Sequence, residues 1–370
     1  MTRTTHPVPQ ELRPGGTFDR FLAERAAADA FSGTVLLTHR RRTVLARSFG
    51  LADKRRRVPN GPRTRFALAS VTKLLTAAAV HRLARRGALT YLDPLATHLP
   101  GLPPELAALT LDQLLTHTSG LGDYRATPAF REQAPTWADA AAVNDGIMAI
   151  IRSSPPELPP GTGFRYSNSG YELLGAVVAK AAGQPYLSFV HEHVLGPAGM
   201  RDTAWHTRTQ WADDRRIAHP YALAPPGDGD DGGARVDVLA DKPFIGTAAG
   251  DAFSTASDMS RFCHAVLDGT LLGAAHTRMF LSGKLPLGPW RDAPDTAPPE
   301  AAFQGYGPLG LLLDRQWVAL HNGGSAGEGA YVELHPGSGW VTVVLSNYDV
   351  QAVVPVTTTV RRILTAHQSA

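Results

Sequence analysis

Apolar residues recur along this chain with two different periods, and the change of period divides it into stretches. Near the N-terminus Phe18, Phe21, Leu22 and Ala26 form one stripe at the 3.6-residue helical spacing, which predicts a helix over 16–29. Runs 33–38 and 43–49 are short, rich in Val and Leu and separated by His-Arg-Arg-Arg, so they predict a β-hairpin. The C-terminal part mirrors this layout. Runs 307–313, 317–320, 330–334 and 340–346 alternate with turns such as His-Pro-Gly-Ser-Gly before a last helix over 352–367. Between the ends the signals are mainly helical, at 70–86, 111–115, 137–153, 170–182, 186–194 and 257–267. Both ends therefore supply strands to one antiparallel sheet and a helix to its face. The expected organisation is a sheet domain from 16–65 and 301–370, a mainly helical domain from 66–300 inserted into it, and an active site at their interface. Segments 224–234, rich in Gly and Asp, and 286–300, rich in Pro, read as long loops.

Composition narrows the function classes. The chain has 370 residues, 43% hydrophobic and 19% charged, which excludes disordered and fibrous proteins and suits about two domains. The 36 basic and 33 acidic residues leave a net charge of only +3. The one dense basic cluster, 40–42 with 54–57, falls in two turns without interleaved aromatic rings, so it reads as a solvated surface rather than a nucleic-acid patch. No apolar run approaches the roughly 18 residues that a membrane span needs, and the N-terminus carries no apolar leader core, so a cytoplasmic location is expected. Cys263 is the single cysteine, and no Cys/His pair has zinc spacing. Asp228, Asp230 and Asp231 lack the frame of a calcium loop. Neither metal nor cofactor is expected, and the expected partner is a small-molecule or short-peptide substrate.

Candidate chemistry starts at the helix opening Ser70-Val-Thr-Lys-Leu-Leu-Thr-Ala-Ala-Ala-Val, where Lys73 is nearly the only residue in three turns that is neither small nor apolar. Ser70 in the first turn sits near free backbone N–H groups and the positive dipole end, and Lys73, three residues on, shares its face. Burial lowers a lysine pKa, so Lys73 is a candidate base for the Ser70 hydroxyl. With 17 Ser and 5 Lys, chance predicts roughly 0.2 such spacings, so one hit needs support. Tyr166-Ser-Asn168, in a Gly-rich loop before a helix, supplies it: a phenolic proton carrier and an amide two residues apart. The third element, His321-Asn-Gly323-Gly324, stands at the end of run 317–320, and its glycines allow close backbone approach by a substrate.

Ser-x-x-Lys, Tyr-x-Asn and Lys/His-x-Gly in this order resemble the serine penicillin-recognising enzymes, in the branch of class C β-lactamases, D-alanyl-D-alanine carboxypeptidases, D-aminopeptidases and esterases. The framing stretches Gly-Ala-Leu-Thr-Tyr-Leu-Asp-Pro-Leu, Leu-Leu-Thr-His-Thr-Ser-Gly-Leu (114–121) and Ser254-Thr-Ala-Ser-Asp-Met match as well, so the resemblance covers about 20–350. It implies an α/β fold of β-lactamase/transpeptidase type, with a five-stranded antiparallel sheet flanked by N- and C-terminal helices and a large mainly helical insertion. It also implies a serine acyl hydrolase in which Ser70 attacks an ester or amide carbonyl and Lys73 and Tyr166 carry its proton to the leaving group. The backbone N–H groups of Ser70 and Gly324 would hold the oxyanion, Asn168 would bind the substrate amide, and His321 and Gly323 would line the substrate strand. His321 replaces the lysine of the β-lactamases, which argues against efficient β-lactam turnover. If its cation bound a substrate carboxylate, binding would weaken as pH rose through its pKa.

Other readings compete. An acyltransferase or peptide-cyclising enzyme would resolve the same intermediate with an amine or alcohol, and a covalent β-lactam sensor would not turn over. Gly323-Gly-Ser325-Ala-Gly327 matches a nucleophile elbow with Asp349 and His367 downstream, but 330–334 reads as a strand where that motif needs a helix. His191-Glu-His193 lacks zinc-protease spacing and reads as helix surface. His117 reads as structural and Cys263 as core. Specificity is expected in segments 122–136, 224–243 and 286–304.

Overall fold

A computed structural model describes residues 8–224, 233–289 and 298–369. Its centre is one antiparallel sheet of eight strands, not five. The strands are β1 (Gly33–His39), β2 (Arg42–Phe49), β3 (Gly283–Leu287), β4 (Ala301–Gly305), β5 (Leu309–Leu313), β6 (Gln316–Ser325), β7 (Glu328–His335) and β8 (Trp340–Ser346). Their order across the sheet is β2-β1-β8-β7-β6-β5-β4-β3. Six correspond to the strand-like runs in the sequence. The two others carry weak strand signals in the sequence, because β3 contains Pro286 and β4 ends in glycine, both of which read as loop signals. An edge strand tolerates proline, and Pro286 pairs with Phe303 at the sheet margin, inside the stretch expected to be a loop.

The sheet's alternation sorts its side chains. Val35 and Leu37 of β1 join Val318, Leu320 and Val344 under α1 (Thr17–Ala27) and the C-terminal helix Val354–Ser369, where Phe18, Leu22, Val356, Val360 and Leu364 complete one core. Leu36, Val332, Val341, Val343 and Leu345 point the other way, into a larger core shared with the helical part. Two residues of opposite phase thus build two layers from a single strand.

In the helical part α2 (Lys73–Arg85) is the axis, with every side chain from Lys73 to His81 buried. In the same core α3 (Ala140–Arg152) packs on α4 (Asn168–Ala182), α4 packs on α2, and α5 (Ala256–Leu267) packs on β1 and β8. Cys263 lies fully buried on α5, as its apolar stripe predicts. Residues 225–232, with Asp228, Asp230 and Asp231, and 290–297 lie outside the described residues. Arg40 and Arg41 form the β1–β2 turn.

Candidate active site

The expected helix from Ser70 is divided. Ala69–Thr72 is a tight 3₁₀ turn, and the α-helix begins at Lys73. Ala69 has φ +42°, a left-handed conformation costly for a residue with a Cβ, and this is what sets the Ser70 turn off from the preceding strand. β6 reaches that turn. It runs past Leu320 through Ser325, so His321–Gly324 is paired strand, with His321 opposite Val332 and Gly323 opposite Ala330. The expectation that the strand stops before His321 is corrected here: the two glycines weaken strand propensity, but the β7 ladder holds them. A Cβ on Gly323 would lie 2.5 Å from Leu68 O and 2.7 Å from Ser70 N, so only glycine lets the strand come this close to the nucleophile's amide.

Ser70, Lys73, Tyr166, Asn168, His321 and Gly323 are thereby gathered in one place. Tyr166 Oη donates to Ser70 Oγ at 2.7 Å, and Lys73 Nζ lies 3.1 Å from the same oxygen. Lys73 is fully buried and donates at 2.6 Å to Asn168 Oδ1 and at 2.6 Å to Ala249 O. Both of these atoms can only accept. A neutral amine has two hydrogens and one lone pair, so these contacts take the hydrogens and turn the lone pair to Ser70. Burial, and next the Arg125 guanidinium, lower the Lys73 pKa to about 7, against the opposing pull of Glu172, Asp251 and Asp123. Tyr166 is 40% exposed, yet burial pushes its pKa up to about 12. It is a proton donor, not a standing phenolate.

Asn168 begins α4 behind the cap Ser167, whose hydroxyl accepts from Gly170 N. Its amide is engaged at both ends, with Nδ2 donating to Asp123 Oδ2 at 2.6 Å. In this geometry it holds Lys73. His117 is buried with its ring centroid 4.5 Å from that of Tyr166, and its Nδ1 accepts from Ser167 N at 3.2 Å, so Nε2 carries its proton. Burial holds its pKa well below 6.5. It is a neutral support for Tyr166, in line with its structural reading.

His321 is not a cation. It is buried, its Nδ1 donates to Asn322 O at 2.7 Å, and burial together with the Lys73 charge lowers its pKa to about 4. The fixed positive charge beside Lys73 belongs instead to Arg125, bonded to Asp251 Oδ2 at 3.1 Å and to Tyr124 Oη at 3.1 Å. Arg125, Asp123, Glu172 and Asp251 carried no motif of their own. The one signal was proximity, since the framing stretch 114–121 ends two residues before Asp123.

The competing serine lies at a different junction. Ser325 ends β6 and leads through Gly327 directly into β7, so no helix follows it. Asp349 is spent on Gly327 N and Arg235, and His367 lies in the last turn of the C-terminal helix. In the separate His191-Glu-His193 stretch, His193 meets Arg86 and the Phe189 ring.

The beta-lactamase family model matches residues 18–366. The chain belongs to the beta-lactamase family. Esterase EstB of Burkholderia gladioli is 36% identical over 230 residues, 58% of this chain and 55% of that protein. The penicillin-binding protein of Bacillus halodurans superposes with a TM-score of 0.79 at 26% identity, over 92% of this chain and 98% of that one. The D-amino acid amidase of Ochrobactrum anthropi SV3 superposes with a TM-score of 0.76 at 25% identity, over 95% and 98%. This beta-lactamase-family protein therefore has the fold of serine hydrolases. It spans little more than half the length of the curated relatives it matches, 59% and 55% for two of them.

Proposed function

We propose that this protein is a serine acyl hydrolase that works through an acyl-Ser70 intermediate on an ester or amide, of the D-amino-acid amide or ester class. The observation that carries the reading is the Lys73 amine, whose two hydrogens are committed to Asn168 and Ala249 while its remaining position faces Ser70 Oγ at 3.1 Å. Lys73, neutral about half the time at neutral pH because its pKa is about 7, takes the Ser70 proton as Oγ attacks the carbonyl carbon. The Ser70 and Gly324 N–H groups face the developing oxyanion from the two backbone segments that Gly323 brings together. Tyr166 then gives its proton to the departing oxygen or nitrogen and regains one from Lys73, whose Nζ lies 5.0 Å from the Tyr166 ring centroid. Water enters the vacated position, loses a proton along the same path in reverse, and releases the acyl group. The relatives named as an esterase and a D-amino acid amidase support the substrate class.

The test is a panel of p-nitrophenyl esters, D-amino-acid amides and D-Ala-D-Ala peptides, with intact mass recorded on quenched samples and the series repeated with added amines. Hydrolysis with an acyl adduct on Ser70 is the expected result. An adduct on another residue, or none during turnover, sinks the reading, and products formed only with the amine mean acyl transfer.

A further inference from the structure

Behind the Lys73 network lies a cavity of about 840 Å³, between α3, α4, residues 184–187 and residues 245–248. Its wall is mostly apolar or small, including Val143, Ala176, Ala179, Tyr186 and Ile245. One ionisable side chain that is more than nine-tenths buried lines it: Glu172, 8% exposed. Its Oε1 accepts from Tyr124 Oη at 3.2 Å and from the Thr247 hydroxyl, whereas Oε2 makes no hydrogen bond among the described residues. Burial raises the Glu172 pKa above the ordinary carboxylate value. A carboxylate in that position is stabilised by a cation that also fills the apolar space around it.

The exposed Lys180, also on the cavity wall, lies eight residues, or about two turns, further along α4, so it leaves the Glu172 end to the carboxylate, and the charge beside that end favours the same sign. With Lys73 neutral, three carboxylates, Asp123, Asp251 and Glu172, face one guanidinium, Arg125. The cavity also shares a wall with the active site. Thr76 Oγ1 donates to Ala248 O at 2.6 Å and Lys73 Nζ to Ala249 O at 2.6 Å, in the same segment whose Thr247 holds Glu172.

We propose that this cavity binds a small organic ammonium ion, its charge against Glu172 Oε2 and its apolar body along α4, and that the bound cation tunes Lys73. The tuning, unlike the binding, rests on the reading of Lys73 as the base. Glu172 opposes the loss of the Lys73 proton, so neutralising it with a cation makes that loss easier. The other groups facing Lys73 are Tyr166 and Tyr171, Asp123, Arg125 and Asp251, and the neutral His117 and His321; those facing Glu172 are Tyr124, Arg125, Lys73 and Tyr186, with Lys180 on the same cavity wall.

Calorimetric titration of the Ser70→Ala protein with benzylammonium chloride, and with benzyl alcohol as neutral isostere, tests binding without turnover. The expected result is binding of the cation that falls by at least roughly tenfold in Glu172→Gln and is lost in Ala179→Trp, which fills the cavity while keeping the carboxylate. Binding should also weaken as pH falls and Glu172 takes up a proton. Equal binding of the alcohol, binding that survives Ala179→Trp, or no heat at millimolar ligand overturns the proposal. In the active enzyme, saturating benzylammonium should move the acid limb of kcat/KM to lower pH, and an unmoved limb with binding intact overturns the tuning alone.

Discussion

Two serines among the described residues touch a buried lysine, and only one of them has the makings of a nucleophile. Ser70 Oγ lies 3.1 Å from Lys73 Nζ, and Ser325 Oγ is closer still to Lys242 Nζ, at 2.7 Å. What separates them is the rest of each lysine's company. Lys73 is held by a side-chain amide and a peptide carbonyl, neutral acceptors, and no carboxylate among the described residues contacts it directly. Lys242 is ion-paired with the Glu328 carboxylate at 2.7 Å and also donates to Ala326 O at 2.6 Å. A lysine so paired meets the serine as a hydrogen-bond donor. Proximity of serine to lysine is therefore a weak sign of catalysis, and the lysine's other partners decide.

The largest effect should come from exchanging the two serines' hydroxyls for hydrogen. Ser70→Ala should cost on the order of 10⁴–10⁶ in kcat with the fold intact, while Ser325→Ala should leave kcat of the same order. A fluorophosphonate probe should label Ser70, located by peptide mass spectrometry, and label at Ser325 instead would reverse the comparison.

Next in size is the lysine itself. Lys73→Arg keeps the charge but cannot accept a proton at working pH, so activity should fall on the order of 10²–10⁴. Turnover within about tenfold of wild type would make Lys73 an electrostatic support and leave Tyr166 alone as base.

A subtler change would make the first site resemble the second. In the unmodified protein the base must lose its proton, so kcat/KM should rise as pH climbs through about 7 and show no alkaline fall from Tyr166 until pH nears 12. Asn168→Asp sets a carboxylate beside Lys73, as Glu328 stands beside Lys242, and should carry the acid limb upward by roughly 1–3 pH. An unmoved limb would show that desolvation alone governs Lys73.

The smallest effect concerns His321. With its pKa lowered to about 4, the imidazole stays neutral from about pH 5 to 8, so the KM gap between a carboxylate-ended substrate and its amide should not change over that range. A gap that closes as pH rises, and that flattens in His321→Lys, would restore the cationic role for this residue.

Much of the site was legible because it is local. The Ser70–Lys73 relation is a three-residue spacing at a helix start, and Tyr166–Asn168 flank one helix cap, so both survive in a linear reading. Asp123, Arg125, Glu172 and Asp251 come from three loops or helices and bear on Lys73 only through space. A charged residue in a loop gives no periodic signal, and nothing short of the folded chain brings these four together.

The periodic elements, the nucleophile–base spacing and the two-layer logic of sheet and helix can be read along the chain alone, since each depends on neighbours a few residues apart. Tertiary structure decided what depends on who sits beside whom. It added β3 and β4 to the sheet margin despite their proline and glycine, and it carried β6 through His321 to Ser325 because β7 supplied a ladder. It also set the charge on each ionisable group. Burial made His321 neutral and Lys73 a base near pH 7, and a carboxylate 2.7 Å from Lys242 made the other lysine an ion-pair partner. Protonation follows desolvation and the nearest charges, and both are properties of a packed surrounding that no linear spacing contains.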